Sequence, residues 1–152
     1  MARRIETVSE LSSLVGKDLG TSGWYDITQH RVDLFADATE DHQWIHVDPR
    51  RAETESPFGG PIAHGYLTLS LLSTMSLQVL TVERMSMGVN YGLNKVRFPA
   101  PVPVGSRVRL AASVVTVEEF DGGAQIVLAA TVECDQTQKP VCVAEPVYRY
   151  YH

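Results

Sequence analysis

Two polar side chains near residue 40 stand at a spacing that suits acid/base chemistry. Asp41 and His46 lie five positions apart, just after a helical pattern ends. If the intervening turn folds back, both groups can reach one water molecule, from which a carboxylate or a neutral imidazole can accept a proton. Positioned groups of this kind raise a rate by roughly 10²–10⁴-fold. The same spacing also fits a structural alternative, in which Asp41 caps the next turn and His46 lies in a partly exposed loop.

A second segment, residues 58–66, supplies backbone N–H groups. It is rich in glycine and proline and opens onto an apolar run that extends to Leu80. A helix that begins near Gly65 leaves its first N–H groups without intrahelical acceptors, and a glycine lets a ligand approach them. Aimed at a carbonyl oxygen, one such donor would stabilise an enolate by about 2.7–4 kcal/mol. The alternative is that Gly65 only relieves crowding where the loop meets the helix.

A metal site is another interpretation of the same residues. Four side chains offer nitrogen or oxygen ligands: His42, His46, Asp48 and His64. A catalytic zinc site needs three well-placed protein ligands. No helix is predicted around His42 and His46, because Asp41 and Pro49 bracket that segment. We therefore predict no metal and no cofactor. The sequence also lacks a Gly-x-Ser-x-Gly nucleophile elbow and a phosphate-binding glycine loop.

Length and composition predict an ordinary single domain, residues 1–152, with 44% hydrophobic and 20% charged residues. The net charge of -5 and the lack of a long Lys/Arg cluster argue against a nucleic-acid surface. The N-terminus shows no apolar signal segment, and the longest apolar run falls short of the ~20 residues that cross a bilayer. We therefore expect a cytoplasmic protein without a membrane partner. Cys134 and Cys142 are expected to be reduced structural thiols.

The helical patterns precede the strand patterns in this chain. Thr7 and Glu10 form a capping box for a short N-terminal helix, and Thr28 caps a helix that ends near Thr39. Residues 23–27 read as a strand, and residues 48–61 as a loop with one helical turn near residues 51–54. The apolar residues between 65 and 80 cover more than one face, which is typical of a long helix buried on most sides.

After residue 88 the hydrophobic period changes from 3.6 to 2. Four alternating segments follow, separated by a proline-rich turn, an Asp-Gly-Gly hairpin signal and a polar turn. We predict four strands in an antiparallel meander. Segregated helices and an antiparallel sheet indicate an α+β domain, in which the curved sheet wraps around the long helix.

The residues around Asp41 and His46 resemble a family signature. Residues 41–46 are similar to the hydratase motif Gly-Asp-x-Asn-Pro-Leu-His of the MaoC-like dehydratases, which include the (R)-specific enoyl-CoA hydratases. The wider pattern of residues 35–49 and 59–65 is most similar to the nodulation protein N-like branch of that family. The resemblance extends over nearly the whole chain, including residues 90–98.

This resemblance implies a hot-dog fold and side-by-side homodimers with acyl tunnels near the interface. It also implies that Asp41 and His46 hold and activate water while the Gly65 N–H polarises a thioester carbonyl. The usual Asn-Pro pair is replaced here by Gln43 and Trp44. Gln43 can keep the orienting role of the amide, whereas the larger Trp44 changes the shape of the loop.

The implied reaction is reversible syn hydration of a trans-2-enoyl-CoA to the (R)-3-hydroxyacyl-CoA. The expected carrier is CoA, with acyl-carrier protein as the alternative, and Arg97 is a candidate phosphate contact. The residues predicted to bind substrate are Gln43, Phe58, Gly60, Ala63, His64 and Arg97. Two other functions remain open: a hot-dog thioesterase that directs water to the thioester carbon, and a non-catalytic subunit of a heterodimeric dehydratase.

Overall fold

The structure is a computed structural model that describes residues 2–152. The N-terminal part contains β1 (Arg3–Thr7), a 3-10 helix (Val8–Leu14), β2 (Asp18–Thr21) and β3 (Tyr25–Asp26). The helical part contains α1 (Gln29–Thr39), α2 (Trp44–Val47), α3 (Pro49–Glu55), α4 (Gly65–Ser70) and α5 (Leu72–Val79). The remaining strands are β4 (Leu80–Arg84), β5 (Met87–Arg97), β6 (Arg107–Phe120), β7 (Gly123–Cys134) and β8 (Cys142–Tyr151).

The main sheet has the order β2-β6-β7-β8-β5, with β3 paired to β6. All of its pairings are antiparallel. The predicted meander is correct for β6, β7 and β8 and wrong for β5, which pairs with β8 and not with β6. Residues 98–106, which separate β5 from β6, exceed the two to five or so residues of ordinary hairpin loops, and their prolines cannot continue a ladder. This connection carries the chain from one edge of the sheet to the other side.

The long buried helix forms as two consecutive helices. Leu71 separates α4 from α5, and β4 begins directly after Val79. The Leu71 N–H donates to the Leu67 carbonyl and the Met75 N–H to the Leu71 carbonyl, so the two helices continue in one direction. Met75 and Val79 are almost fully buried, because this face of α5 packs in the hydrophobic core with the inward side chains of the sheet. The α+β hot-dog arrangement predicted above is therefore present.

The N-terminal predictions hold in part. Glu10 accepts hydrogen bonds from the Thr7 N–H and hydroxyl, as the capping box predicts, but the helix that follows is a 3-10 helix. The strand expected over residues 23–27 is reduced to β3. The parallel pairing of β1 with β4 was not predicted, because two five-residue segments far apart in sequence carry no local signal of their pairing.

Both cysteines are buried and free, as expected. Burial raises the pKa of the Cys142 thiol to about 11, so this thiol is neutral and unreactive at ordinary pH. Over residues 2–152, no helix combines the length and the apolar character that crossing a membrane requires.

Candidate active site

The polar residues of the site lie after α1, in α2 and at the start of α4. The N-cap residue Thr28 accepts a hydrogen bond from the Arg31 N–H at the start of α1. The residue after α1, Glu40, has a left-handed conformation with φ of 61°. Asp41 directly follows this left-handed residue. The prediction that residues 42–48 lack a helix is wrong, since α2 spans Trp44–Val47. A single turn of four residues is too short to show a helical period.

The first key side chain is His46, which α2 carries and which is 7% exposed. Its backbone carbonyl accepts a hydrogen bond of 2.7 Å from the Gln29 side chain, which ties α2 to α1. Its Nδ1 lies 2.6 Å from the carbonyl oxygen of Ile62. A carbonyl oxygen can only accept, so Nδ1 carries the proton and Nε2 presents a lone pair in the neutral ring. Burial lowers the pKa of His46, and the neighbouring His64 adds to this effect, whereas the bond to Ile62 and the Asp41 carboxylate oppose it.

The second buried imidazole belongs to His64, which is 3% exposed and is the residue directly before α4. Its Nε2 donates to the backbone carbonyl of Asp41 over 2.9 Å. Its ring stacks on that of His46 with centroids 3.8 Å apart and an interplanar angle of 23°. The Nδ1 of His64 is buried and has no hydrogen-bond partner among residues 2–152. His64 was predicted as a substrate contact, and the structure shows that it also connects the backbone at Asp41 to the ring of His46.

The carboxylate of Asp41 lies at the edge of this pair. Its side chain is 54% exposed, and Oδ2 is 4.0 Å from the His64 Nε2. The backbone N–H of Gln43 donates to Oδ1 at 3.4 Å. One ligand atom each from Asp41, His46 and His64 lies within 4.8 Å of the others. A water molecule with two hydrogen bonds of roughly 2.8 Å can join groups at such a separation. Asp41 and His46 are therefore close enough to hold one water between them.

The same three residues fit a metal ion poorly. A metal–nitrogen bond of about 2.0–2.1 Å lies in the plane of the imidazole, along the lone pair. The rings of His46 and His64 are stacked with planes only 23° from parallel, so one ion cannot lie close to both planes. The absence of a resident metal stays a prediction, and we derive no chemistry through one.

A cavity of about 440 Å³ contains these groups. The residues that line it are Phe35, Thr39, Asp41, His46, His64, Gly65, Tyr66 and Phe98. Gly65 is the first residue of α4, so its N–H has no acceptor within the helix. A Cβ at Gly65 would stand 3.2 Å from two ring carbons of Phe98. Glycine is therefore the residue that lets the loop, the helix and this ring meet at one point.

The remaining predicted substrate contacts divide into two groups. Phe58 and Ala63 line a second cavity of about 390 Å³, which adjoins the first at Gly65. Gln43, Gly60 and Arg97 are not among the residues that line either cavity. The backbone N–H of Gln43 donates to the Asp41 carboxylate, and the guanidinium of Arg97 donates to the carbonyl of Val96. A phosphate contact at Arg97 stays a prediction.

Several lining residues were not identified from the sequence. Phe35 and Thr39 were not predicted as site residues, yet they stand at i and i+4 on the face of α1 that reaches the cavity. Phe98 follows the last residue of β5 and stands over Gly65, a contact between distant segments that no spacing rule gives. The sequence features that could have identified them are the shared helical face of Phe35 and Thr39 and the position of Phe98 directly before the prolines.

Comparison with known proteins shows to which family this site belongs. Residues 10–137 match the family model of the MaoC-like domain. The 3-hydroxyacyl-thioester dehydratase Z of Mycobacterium tuberculosis is 54% identical over 149 residues, which cover 97% of this chain and 98% of the relative. Nodulation protein N of Rhizobium meliloti is 50% identical over 144 residues, which cover 91% of this chain and 87% of the relative.

A solved structure agrees with these sequence relatives. The unliganded R-hydratase PhaJ1 of Pseudomonas aeruginosa superposes with a TM-score of 0.75 at 25% identity, covering 96% of this chain and 86% of that one. The family model covers most of the chain, and the relatives match it at high identity over nearly their full length. The chain therefore belongs to the family of MaoC-like dehydratases and has their hot-dog fold.

Proposed function

We propose that this hydro-lyase is an (R)-specific enoyl-CoA hydratase, which adds water reversibly to a trans-2-enoyl-CoA to give the (R)-3-hydroxyacyl-CoA. The observation that carries the proposal is the presence of Asp41, His46 and the Gly65 N–H in one cavity. The reaction class and the (R) configuration are supported by the similarity to the 3-hydroxyacyl-thioester dehydratase and to the R-hydratase.

His46 acts as the base that activates water in the hydration direction. Its Nδ1–H is committed to the Ile62 carbonyl, so Nε2 is the atom that accepts a proton. Because its pKa is lowered, the ring is neutral near pH 7 and able to take up that proton. An O–H bond of the water breaks, the oxygen bonds to the β-carbon, and the electron pair of the double bond moves into an enolate.

The imidazolium formed in this step then returns the proton. Its Nε2–H protonates the α-carbon on the face where the water was held, which gives syn addition with one water consumed. Asp41 accepts the second hydrogen bond of the water and so aims a lone pair of the oxygen at the β-carbon. The carboxylate also stabilises the transient positive charge on His46, since the two groups are close enough to share one water.

The Gly65 N–H stabilises the negative charge that develops on the thioester oxygen. This donor has no acceptor in α4, and the absence of a side chain lets the carbonyl approach. A preorganised donor of this kind is worth about 2.7–4 kcal/mol in the transition state. The N–H and the acid/base pair thus act on opposite ends of the conjugated system.

A homodimer is the assembly that we propose for the active protein. β5 is an edge strand of eleven residues, and among residues 2–152 it pairs only with β8. It presents the apolar side chains of Met87, Val89, Tyr91 and Leu93, each between 37% and 57% exposed. A long apolar edge is a site of strand pairing, and a second copy would extend the sheet across it. The cytoplasmic location and the lack of a cofactor remain predictions.

Crotonyl-CoA tests the proposed function. Incubation with the protein should remove the enoyl absorbance without releasing free thiol, and chiral analysis should identify (R)-3-hydroxybutyryl-CoA. Release of thiol would instead show a thioesterase. Activity that requires a second hot-dog chain would show a subunit of a heterodimeric dehydratase. If the enoyl absorbance and the thioester both persist with enoyl-CoA substrates of several lengths, the proposal is contradicted.

A further inference from the structure

The side chains that line the second cavity, beside the candidate site, are apolar with one exception. It is lined by the prolines and alanine of residues 99–101 and by side chains that include Phe58, Ile62, Val102 and Val141. Gly65 and Phe98 line this cavity and the first one, so the two spaces meet at the beginning of α4. None of the proposed chemistry uses this second space.

Thr68 is the polar exception in this lining. The residue is 0% exposed, and within the described chain its hydroxyl oxygen has no hydrogen-bond partner. Its backbone N–H is already satisfied by the His64 carbonyl. A buried hydroxyl without a partner is unfavourable, and native structures usually satisfy such groups. A ligand that enters the cavity and carries one amide would satisfy it.

The orientation of the substrate decides which part of it reaches this cavity. The α- and β-carbons must lie beside Asp41 and His46, in the first cavity, while the carbonyl oxygen is at Gly65. The sulfur lies on the other side of the carbonyl carbon from the α-carbon. The arm attached to the sulfur therefore leaves towards the second cavity.

We propose that the second cavity binds the amide-bearing thiol arm of the thioester and that the Thr68 hydroxyl hydrogen-bonds to the first amide of that arm. The proposal rests on the proposed function, which places the carbonyl at Gly65. The relevant chemistry is the sequence S–CH2–CH2–NH–CO, which CoA and acyl-carrier protein share. Thr68 is thus a substrate-binding residue outside the acid/base pair.

The spacing agrees with this assignment. Gly65 and Thr68 are i and i+3 on a helix, and such side-chain positions are roughly 5–6 Å apart. The amide nitrogen of the arm is four bonds from the carbonyl carbon, roughly 5 Å when extended. Because the Thr68 hydroxyl is closed to water in the free chain, one lining side chain must move when the arm enters. Phe98, which lines both cavities, is 40% exposed and is the side chain that we expect to move.

Two small thioesters test the role of the hydroxyl. Crotonyl-N-acetylcysteamine contains the amide, and crotonyl S-pentyl thioester has an arm of equal length without it. Thr68→Val keeps the shape of the side chain and removes the hydroxyl. This variant should lower kcat/KM about five- to tenfold for the amide thioester and less than twofold for the pentyl thioester, and Thr68→Ser should restore the selectivity.

Val102→Ala is the matched control, because it alters the same cavity without a polar atom. It should change kcat/KM for the two thioesters by the same factor. An equal effect of Thr68→Val on both thioesters, or no effect on either, would overturn the assignment. The natural source of the arm is identified by comparing crotonyl-CoA with crotonyl-acyl-carrier protein. The carrier for which the wild-type protein has the higher kcat/KM is the natural one, and the same variants are measured with both carriers.

Failure of the proposed function has a different signature. In that case wild-type protein hydrates neither thioester, and the cavity is tested by calorimetric binding of butyryl-N-acetylcysteamine. Five- to tenfold weaker binding to Thr68→Val than to wild type would support the arm site without the reaction. Equal binding to both proteins, or no binding to wild type, would overturn it.

Discussion

The imidazole rings of His46 and His64 stack face to face, 3.8 Å between centroids, and each ring gives one N–H to a backbone carbonyl. The acceptors are Ile62 for His46 and Asp41 for His64, so the pair connects the loop before α4 to the loop after α1. The bond to Ile62 selects the Nδ1–H tautomer of the neutral His46 ring, which leaves a lone pair on its Nε2. Two protonated rings at this distance would repel each other, so the stack favours the neutral form of His46.

This arrangement predicts how activity depends on pH. Burial lowers the pKa of His46 below its ordinary value of 6.5. The neutral base therefore persists below pH 6.5, and kcat/KM should fall only as the pH drops through the lowered pKa. We expect an acid limb in the profile of kcat/KM for crotonyl-CoA whose midpoint is below 6.5. A midpoint above 6.5 would contradict the assignment of His46 as the base.

The same shift has a consequence for stability. A histidine with a lowered pKa in the folded state binds fewer protons there than in the unfolded chain. Its unfavourable effect is absent above pH 6.5 and grows as the pH falls from 6.5 through the lowered pKa. Denaturant unfolding should show that His46→Gln removes part of the loss of stability over this range. Parallel curves for the two proteins would show that His46 is not the group responsible.

His64 is predicted to act through the position of Asp41 and His46. His64→Gln places an amide N–H near the Asp41 carbonyl but removes the stacked ring, and His64→Ala removes both contacts. We expect kcat to fall more for His64→Ala than for His64→Gln, with KM changed less than kcat. Because His64 lowers the pKa of His46, both variants should also move the acid limb of kcat/KM to higher pH. A purely structural role would lower the activity without moving that limb.

Gly65 and Phe98 should show coupled effects. A Cβ at residue 65 would stand 3.2 Å from the Phe98 ring, so Gly65→Ala forces the ring to move and obstructs the N–H. We expect kcat/KM to fall at least tenfold while the protein stays folded, because Phe98 is 40% exposed and able to yield. In the double variant Gly65→Ala/Phe98→Leu, kcat/KM should recover the part of the loss that comes from the steric clash. Additive losses from the two substitutions would contradict the contact.

If β5 forms the dimer interface, charged substitutions on this strand should dissociate the dimer. Val89→Lys/Leu93→Lys places like charges along the exposed edge of both copies, where they would repel. Sedimentation should show a dimer for the wild type and a monomer for this variant. Val115→Lys is the control, since Val115 is 42% exposed but belongs to β6, which is paired on both sides. A wild-type monomer, or dissociation by both variants, would contradict the proposed interface.

Local patterns in the sequence predicted where helices and strands occur better than which strands pair with each other. Thr28 and the spacing of apolar residues located α1, and period-two alternation located β5 through β8. The pairing of β5 with β8 could not be predicted, because it depends on the path of residues 98–106 around the sheet. The division of the long helix at Leu71 also lacks a local signal, since leucine is a good helix former.

In the site, too, residues close in sequence were predicted, whereas contacts between distant segments were not. The types and spacing of Asp41 and His46, with the family resemblance, indicated the acid/base pair. The role of His64 as a connection between them could not be deduced, because it depends on the stacking of two segments 18 positions apart and on the carbonyl of Asp41. The second cavity likewise depends on Phe98 and the prolines after it, which only tertiary structure brings to α4.

The steady-state rate of crotonyl-CoA hydration by wild type, Asp41→Asn and His46→Gln tests the central claim most directly. Both substitutions keep a polar side chain of similar size, so circular dichroism and sedimentation should match the wild type. We predict that each variant loses roughly 10²–10⁴-fold in kcat, because each removes one of the two groups that hold and activate the water. Near-normal rates in both folded variants would contradict the claim that Asp41 and His46 act together on one water molecule.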